Sequence, residues 1–337
     1  MNRTRAHAIA VGIAWLTAAG PVRAQPPGLP SDAYIGEQVP ESVARMYERG
    51  LVYLVRTQQP DGTWLNEGGQ TGAAIQGLAL MALVADGGDP RYGPYAATIR
   101  RGLNQLLANQ QDNGFLGHSM YHHAFGTLAL AELYGVVDDD RIGPALVRAV
   151  DLIVRAQTVN QSNAWRYGPE SRDADTTLSG GILVALFAAR NAGIEVDDDI
   201  IQRGLAFIRS CQDGSGGIGY TQPGGGSAAR NAIAVLVAAL ANEPDSNFSR
   251  SAFGWLKNNA EQAGGSYYFY YLYYAAQAYF RADMTEWRAW NRQLIRRLGA
   301  TQNAGGGWDG PQGSTFCTSS ALLSLALNYR YLPIYER

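Results

Sequence analysis

The sequence is short of the residues that build most metal and disulfide proteins. Only two cysteines, Cys211 and Cys317, and four histidines occur in 337 residues. That excludes a disulfide-dense scaffold and a four-cysteine zinc site. An oxidising compartment permits a bond between the two cysteines; the plainer reading is two buried small hydrophobic residues. Charge of either sign is also in short supply. Charged residues are 17% of the chain, and 27 Lys+Arg stand against 29 Asp+Glu. Such a balance excludes the electrostatic footprint of a nucleic-acid surface, and no basic run marks a polybasic membrane patch. No apolar run is long enough to span a bilayer comfortably. A P-loop, a dinucleotide fingerprint and a Ser-His-Asp arrangement are all missing.

Apolar residues and glycine are plentiful. Hydrophobic residues make up 46% of the chain, ample for a large core, and there are 40 glycines. The first residues, Met1-Asn-Arg-Thr-Arg5, are followed by an apolar stretch from Ala8 to Ala19 and by Val22-Arg23-Ala24. A positive start, a short apolar region and small residues before a cut have the form of a secretory signal peptide. The sequence therefore predicts a signal peptide over 1–24, cleavage after Ala24, and export to the periplasm or beyond. A loose Pro- and Gly-rich segment is expected over 25–40 and a single domain over 41–337.

The glycines fall in a repeated phrase. It reads Arg56-Thr-Gln-Gln-Pro-Asp-Gly-Thr-Trp64, then Ala108-Asn-Gln-Gln-Asp-Asn-Gly-Phe115, and a looser form runs from Arg155 to Trp165. Further copies are Ser210–Ile218, the degenerate Asn259–Tyr267, and Ala300–Trp308. The Gln anchors lie near 59, 111, 157, 212, 262 and 302, a spacing in the range of helical-pair repeats. Each copy has the same grammar. An amphipathic helix such as Ser42–Gln58 ends in a Gly-bearing turn, and a second, almost wholly apolar helix follows. The apolar helices are expected over Gly72–Val84, Ala124–Tyr134, Leu178–Ala189, Ala228–Ala241 and Ser319–Asn328. Helices apolar all round are buried, so they form an inner layer inside the polar-faced set. An open solenoid needs polar caps at its ends, and the terminal repeats here are as apolar as the middle ones. The sequence thus predicts an all-α fold, an (α/α)6 toroid of six helical pairs.

Gln-x-x-x-Gly-x-(Trp/Phe) resembles the repeat of the prenyltransferase and squalene-oxidase families. Met120–Glu132, Asp175–Gly181, Tyr267–Gln277, Trp287–Asn291 and the tail Tyr329–Tyr335 look like the short, secreted, single-toroid members of that terpenoid cyclase and protein prenyltransferase superfamily. The resemblance covers about residues 41–337. It implies the toroid and leaves the activity open, because one scaffold hosts unrelated functions. Complement-type thioester domains share this toroid, but at Ile35-Gly36-Glu37-Gln38 an Ile stands where their motif needs Cys.

In such a ring the first turns of the inner helices converge on one mouth. Class II terpene cyclases carry Asp-x-Asp-Asp-Thr there, and its third residue donates the proton. Asp173-Ala-Asp175-Thr-Thr177 is similar, with Asp175 as the acid and Asp173 beside it, but Thr176 replaces the fourth-position Asp. The plainer reading makes Asp175 the N-cap of the next helix. His122 and His123 start another inner helix and are expected to meet a ligand. Zinc would need three or four ligands, and the Asp, Cys and His pattern of the prenyltransferases is absent, so neither a metal nor another cofactor is expected. Tyr267, Tyr270, Tyr271 and Tyr274 are spaced to face inward, where rings attract cations and hydroxyls bind sugars or peptides; the plainer reading is inter-helix packing with the hydroxyls at the wet mouth. Trp64, Trp165 and Trp308 are read as packing residues. The reading that follows is an exported toroid that holds a small molecule, glycan or peptide in its cavity without the full catalytic motif. The alternatives are an isoprenoid cyclase with Asp175 as acid, and a polysaccharide lyase or hydrolase drawing on Arg166, Arg172 or Arg230.

Overall fold

The computed structural model describes residues 39–66 and 71–335. The expected signal peptide and nearly all of the 25–40 segment lie outside them. Twelve α-helices follow in order: α1 (Glu41–Thr57), α2 (Ala73–Val84), α3 (Ala96–Ala108), α4 (Met120–Tyr134), α5 (Ile142–Val159), α6 (Thr176–Asn191), α7 (Asp198–Ser210), α8 (Ala228–Leu240), α9 (Asn247–Asn258), α10 (Tyr268–Ala282), α11 (Met284–Thr301) and α12 (Ser314–Ala326). The odd-numbered helices are two-faced. On α1, Val43, Met46, Tyr47, Leu51 and Leu54 are buried while Arg45, Glu48 and Arg49 face solvent. The even-numbered ones are enclosed, and α2 is buried without interruption from Ile75 to Val84. Several inner helices begin earlier than apolarity predicted: α4 at Met120, α6 at Thr176, α12 at Ser314. Their first turns carry polar and aromatic residues that face the mouth, so apolarity alone does not mark them.

The ring is closed. Each inner helix packs on the next, α2 on α4, α4 on α6, α6 on α8, α8 on α10, α10 on α12, and α12 packs back on α2. Each outer helix also leans on the inner helix before it, α3 on α2, α5 on α4, and so on round to α1 on α12. The sixth packed pair is therefore made of the last helix and the first. This is an α/α toroid of six outer and six inner helices, as the sequence predicts.

The repeat phrase holds neighbouring outer helices together. The Gln58 side-chain amide donates to the Thr98 carbonyl in α3 at 3.0 Å, and Gln110 does the same to Ala145 in α5 at 2.8 Å. Gln157 reaches Ile200 in α7, Gln212 reaches Phe248 in α9, and Gln302 reaches Met46 in α1. In the two Gln-Gln pairs it is the first Gln, at 58 and 110, that makes this bond, one residue before the predicted anchor. The turn glycine approaches the same neighbour. At Gly62, Gly114, Gly216 and Gly306 the backbone is left-handed, and a Cβ would stand 2.2–2.5 Å from a carbonyl oxygen of the next outer helix. In the third copy Asn163 takes that left-handed position, with φ 53°. The closing Trp is buried, and its indole N–H donates back to its own outer helix: Trp64 to Leu54, Trp165 to Ile153, Trp308 to Leu298. Gly102 and Gly204 make room for the rings of Trp64 and Trp165, so these Trp residues do pack each turn onto the next repeat.

The fifth copy breaks the pattern. A short 3-10 turn, Ala260–Ala263, replaces the usual one, and Tyr267 stands 71% exposed where the other copies bury their closing residue, an aromatic ring in four of them and Ile218 in the remaining one. At the far end of the ring the C-terminal tail folds across. Leu332 and Ile334 are buried, the Ile334 N–H donates to Glu132 on α4, and Arg281 on α10 donates to the Ile334 carbonyl. The tail seals that end, and the mouth at the inner-helix N-termini stays open. No disulfide joins Cys211 and Cys317, which are both buried.

Candidate functional site: an aromatic cavity at the mouth

A cavity of about 760 Å³ lies at this mouth. Its walls are the first turns of the inner helices: Tyr121, His122 and Phe125 of α4, Thr177 of α6, Ser227 to Arg230 at the start of α8, Tyr270 and Tyr271 of α10, and Phe316 of α12. Tyr167, Tyr220, Tyr267 and Gln312 complete the rim from the turns. The floor is a stack of rings. Tyr270 rests on Tyr274, Tyr274 on Tyr273, each pair 4.9 Å apart, and Phe125 meets Tyr273 edge-on at 5.8 Å. Gly181 on α6 leaves room for this stack, since a Cβ there would lie 3.1 Å from the Tyr274 hydroxyl. Of the four expected tyrosines, Tyr267, Tyr270 and Tyr271 line the cavity, and Tyr274 is buried beneath it.

Asp175 and Asp173 do not line it. Asp175 is the N-cap of α6, and its Oδ1 accepts the Leu178 N–H at 2.9 Å. Its Oδ2 lies 3.4 Å from Arg166 Nε, and the side chain has no solvent exposure. Asp173 is exposed and takes the Nη1 of the same guanidinium at 3.0 Å. Arg166 also lies on the rings of Tyr167 and Tyr220, 4.8 and 5.2 Å from their centroids, and the two tyrosine hydroxyls are hydrogen-bonded to each other. Asp175 thus sits behind the cavity wall, with its charge turned to Arg166. Burial raises its pKa, against the Leu178 N–H and the Arg166 charge, which lower it.

The two histidines part company. His122 lines the cavity and lies in a cradle of glycines, because a Cβ on Gly72 would come within 2.1 Å of its ring and one on Gly117 within 2.6 Å of its Cβ. Burial and the adjacent His118 lower its pKa, so it is neutral at pH 7. His123 faces outward instead. Its Nδ1 accepts the Leu116 N–H at 3.1 Å and its Nε2 lies 3.0 Å from the Ala149 carbonyl of α5, so Nε2 carries the proton. Burial pushes its pKa down to about 4. Ser179, Asn231 and Thr318 hold the turns of their own repeats in the same way, each accepting the backbone N–H of Trp165, Ile218 and Trp308 respectively. His123 is a turn anchor, enclosed away from the cavity expected of it.

Arg230 is the one permanently charged side chain on the cavity wall, and no Asp or Glu lines it among the described residues. No group of three His, Cys, Asp or Glu side chains is placed to hold a metal ion among the described residues. Asp309, upstream of Cys317, is taken up by Ser314 and Asn303. Sequence reasoning missed Tyr121, Tyr167, Tyr220 and Phe316 as wall residues. A signal for two of them exists, since Tyr167 and Tyr220 each stand two residues past the closing residue of a repeat, Trp165 and Ile218. That offset reaches the mouth in other copies too: Asn66, two past Trp64, bonds Gln312 and Phe316 there.

No protein-family model matches the chain, and no curated protein matches it either. Solved structures do. A family 76 glycoside hydrolase from a bovine Bacteroides thetaiotaomicron strain aligns with TM-score 0.63 at 11% identity, over 85% of this chain and 77% of that one. The type II terpene cyclase MstE from Scytonema aligns with TM-score 0.59 at 15% identity, over 86% and 98%. It has also been solved, as variants, with geranylgeranyl dihydroxybenzoate as substrate and with merosterolic acid A as product. An inactive variant of an α-1,6-mannanase from Salegentibacter, two aspartates changed to asparagine and bound to α-1,6-mannotriose, aligns with TM-score 0.62 at 10% identity over 84% and 98%. These likenesses place the chain in the α/α toroid fold that terpene cyclases and these hydrolases share.

Proposed function

We propose that this chain is an exported toroid that holds a ligand in its aromatic mouth and performs neither cyclisation nor glycoside hydrolysis there. The observation that carries the reading is that, among the described residues, no carboxylate lines the cavity wall. Glycoside hydrolysis needs a pair of carboxyl groups flanking the bond to be cut. Proton-initiated cyclisation needs an acid in contact with the substrate, and Asp175 accepts the Leu178 N–H as the cap of α6 and is paired with Arg166 behind the wall. What remains is a cavity lined by six tyrosines, two phenylalanines, one neutral histidine and one arginine, suited to stacking, to hydrogen bonds and to a single charged contact.

The test pairs binding with turnover. The purified protein is incubated with squalene, geranylgeranyl dihydroxybenzoate and α-1,6-mannotriose, and products are sought by mass spectrometry. No turnover is expected, together with ligand-dependent thermal stabilisation that is lost when Ala74→Trp fills the cavity. The start of the exported protein should read Gln25; an exported chain still beginning at Met1 would overturn the predicted cleavage, and a chain found only inside the cell would overturn the export reading.

A second reading keeps one observation in its favour. Burial holds a proton on Asp175 above the ordinary range, as an acid catalyst needs. Turnover of a polyprenyl substrate that Asp175→Asn abolishes, with folding intact, would establish the cyclase reading in its place.

A further inference from the structure

We propose that the cavity takes an organic monocarboxylate, with its carboxylate on Arg230 and its apolar body against Tyr270, Tyr271 and Phe316. This inference rests on the binding reading above and adds the chemical class of the ligand.

The argument begins with unmatched charge. Arg230 is half-buried, and burial lowers its pKa, so its charge is held at some expense. Its Nε donates to the Ile218 carbonyl and its Nη2 to the Gly225 carbonyl, which fixes the guanidinium and leaves Nη1 for a ligand. Among the described residues no carboxylate pairs with it. The carboxylates nearest this wall, Asp173 and Asp175, are both turned to Arg166. A half-buried cation held by carbonyl oxygens, with no carboxylate in ion-pair contact among the described residues, is the feature that an incoming anion completes.

The number of charges then narrows the anion. His122 is the other titratable base on the wall, and its lowered pKa keeps it neutral at pH 7. One net positive side chain matches one negative charge. A diphosphate or an acidic polymer would bring several charges to a wall with one guanidinium and, among the described residues, no cluster placed to hold a metal. The N-termini of α4, α6 and α8 open on the same cavity and add partial positive charge in support. The rest of the wall is aromatic. Tyr270 and Tyr271 are buried, and Phe316 on the neighbouring inner helix lines the same cavity, so the ligand body is one that gains from leaving water.

The test compares one body with and without its charge. 1-Pyrenebutyric acid and its methyl ester are titrated into the purified protein at pH 7 and followed by pyrene fluorescence. The acid is expected to bind at least about tenfold more tightly than the ester, the scale of a charge-assisted hydrogen bond. Arg230→Gln should bring the acid to the affinity of the ester and leave ester binding in place, while Arg230→Lys should retain part of the preference. A merely structural role for Arg230 would weaken both probes alike. Equal affinities for acid and ester in the unaltered protein would overturn the monocarboxylate inference and leave the cavity reading standing. Failure of both probes to bind, or binding that Ala229→Trp does not block, would overturn the cavity reading and this inference with it.

Discussion

The side-chain amide of Gln302, at the end of the last outer helix, donates to the carbonyl of Met46 in the first, 2.9 Å away and 256 residues back along the chain. It is the same bond that Gln110 makes to Ala145, 35 residues ahead. Geometry treats the seam as one more repeat junction. Gln302→Ala and Gln110→Ala are therefore expected to lower stability alike, each by about 1 kcal/mol. Thermal or urea unfolding of the two variants checks this. A seam substitution with no effect beside a destabilising Gln110→Ala would mean that the seam bond contributes nothing in solution.

Turn glycines are expected to differ sharply by position. Gly114→Ala forces a side chain into a left-handed backbone, φ 92°, with its Cβ 2.2 Å from the Arg148 carbonyl. A loss of about 2–4 kcal/mol is expected from strain and overpacking together. Gly214, a few residues from the equivalent Gly216, has nothing within 4 Å of its Cβ position, and Gly214→Ala should be close to neutral. Comparable unfolding midpoints for the two variants would contradict this account of the turn.

Asp175 separates cap from charge. Asp175→Ala removes the Oδ1 that caps α6 and should cost about 1 kcal/mol. Asp175→Asn keeps an acceptor there and removes the buried charge. Because the folded pKa of this acid is raised, its contribution to stability is full below the unfolded value of about 3.8 and falls away as pH rises through the folded value. The Asn variant should thus gain on the unaltered protein between pH 4 and pH 7, measured by unfolding at each pH. A variant that instead loses ground as pH rises would mean that the ionised carboxylate stabilises α6.

His123 predicts acid sensitivity of the opposite sign. Its folded pKa is pushed down to about 4 from 6.5, so the neutral ring stabilises the fold above pH 6.5. That contribution is lost as pH falls toward 4, where the unfolded chain takes the proton first. His123→Ala leaves the Leu116 N–H and the Ala149 carbonyl without their partner and should cost about 2–4 kcal/mol at pH 7. His123→Gln, measured from pH 7 to pH 4, should show a flatter loss than the unaltered protein; an equally steep one would place the acid sensitivity elsewhere.

The fold was legible because the repeat phrase encodes it. Gln, turn Gly and closing Trp recur in register, and the apolarity of the inner helices sorts the two layers. The site was less legible, for physical reasons. His122 and His123 are adjacent in sequence, yet a helix turns neighbours about 100° apart, so one lines the cavity and the other faces α5. Asp175 matched part of an acid motif, but which way its carboxylate turns depends on Arg166, which the motif does not mention. Arg230 stood out only after the carboxylates around it were seen to belong to another cation.

The pairing of α12 with α1 also sets the order of assembly. The partner that covers the first helix is the last one to be synthesised, so five of the six packed pairs can form while the ring still gapes. Closure must then bring together segments some 250 residues apart, as Arg49 to Asn303 and Thr315 to Leu65 record. Contacts so far apart in sequence carry the largest loop-closure entropy in the ring. Until the ring closes, the aromatic mouth lacks Phe316 and Gln312, so the cavity is complete only in the closed ring.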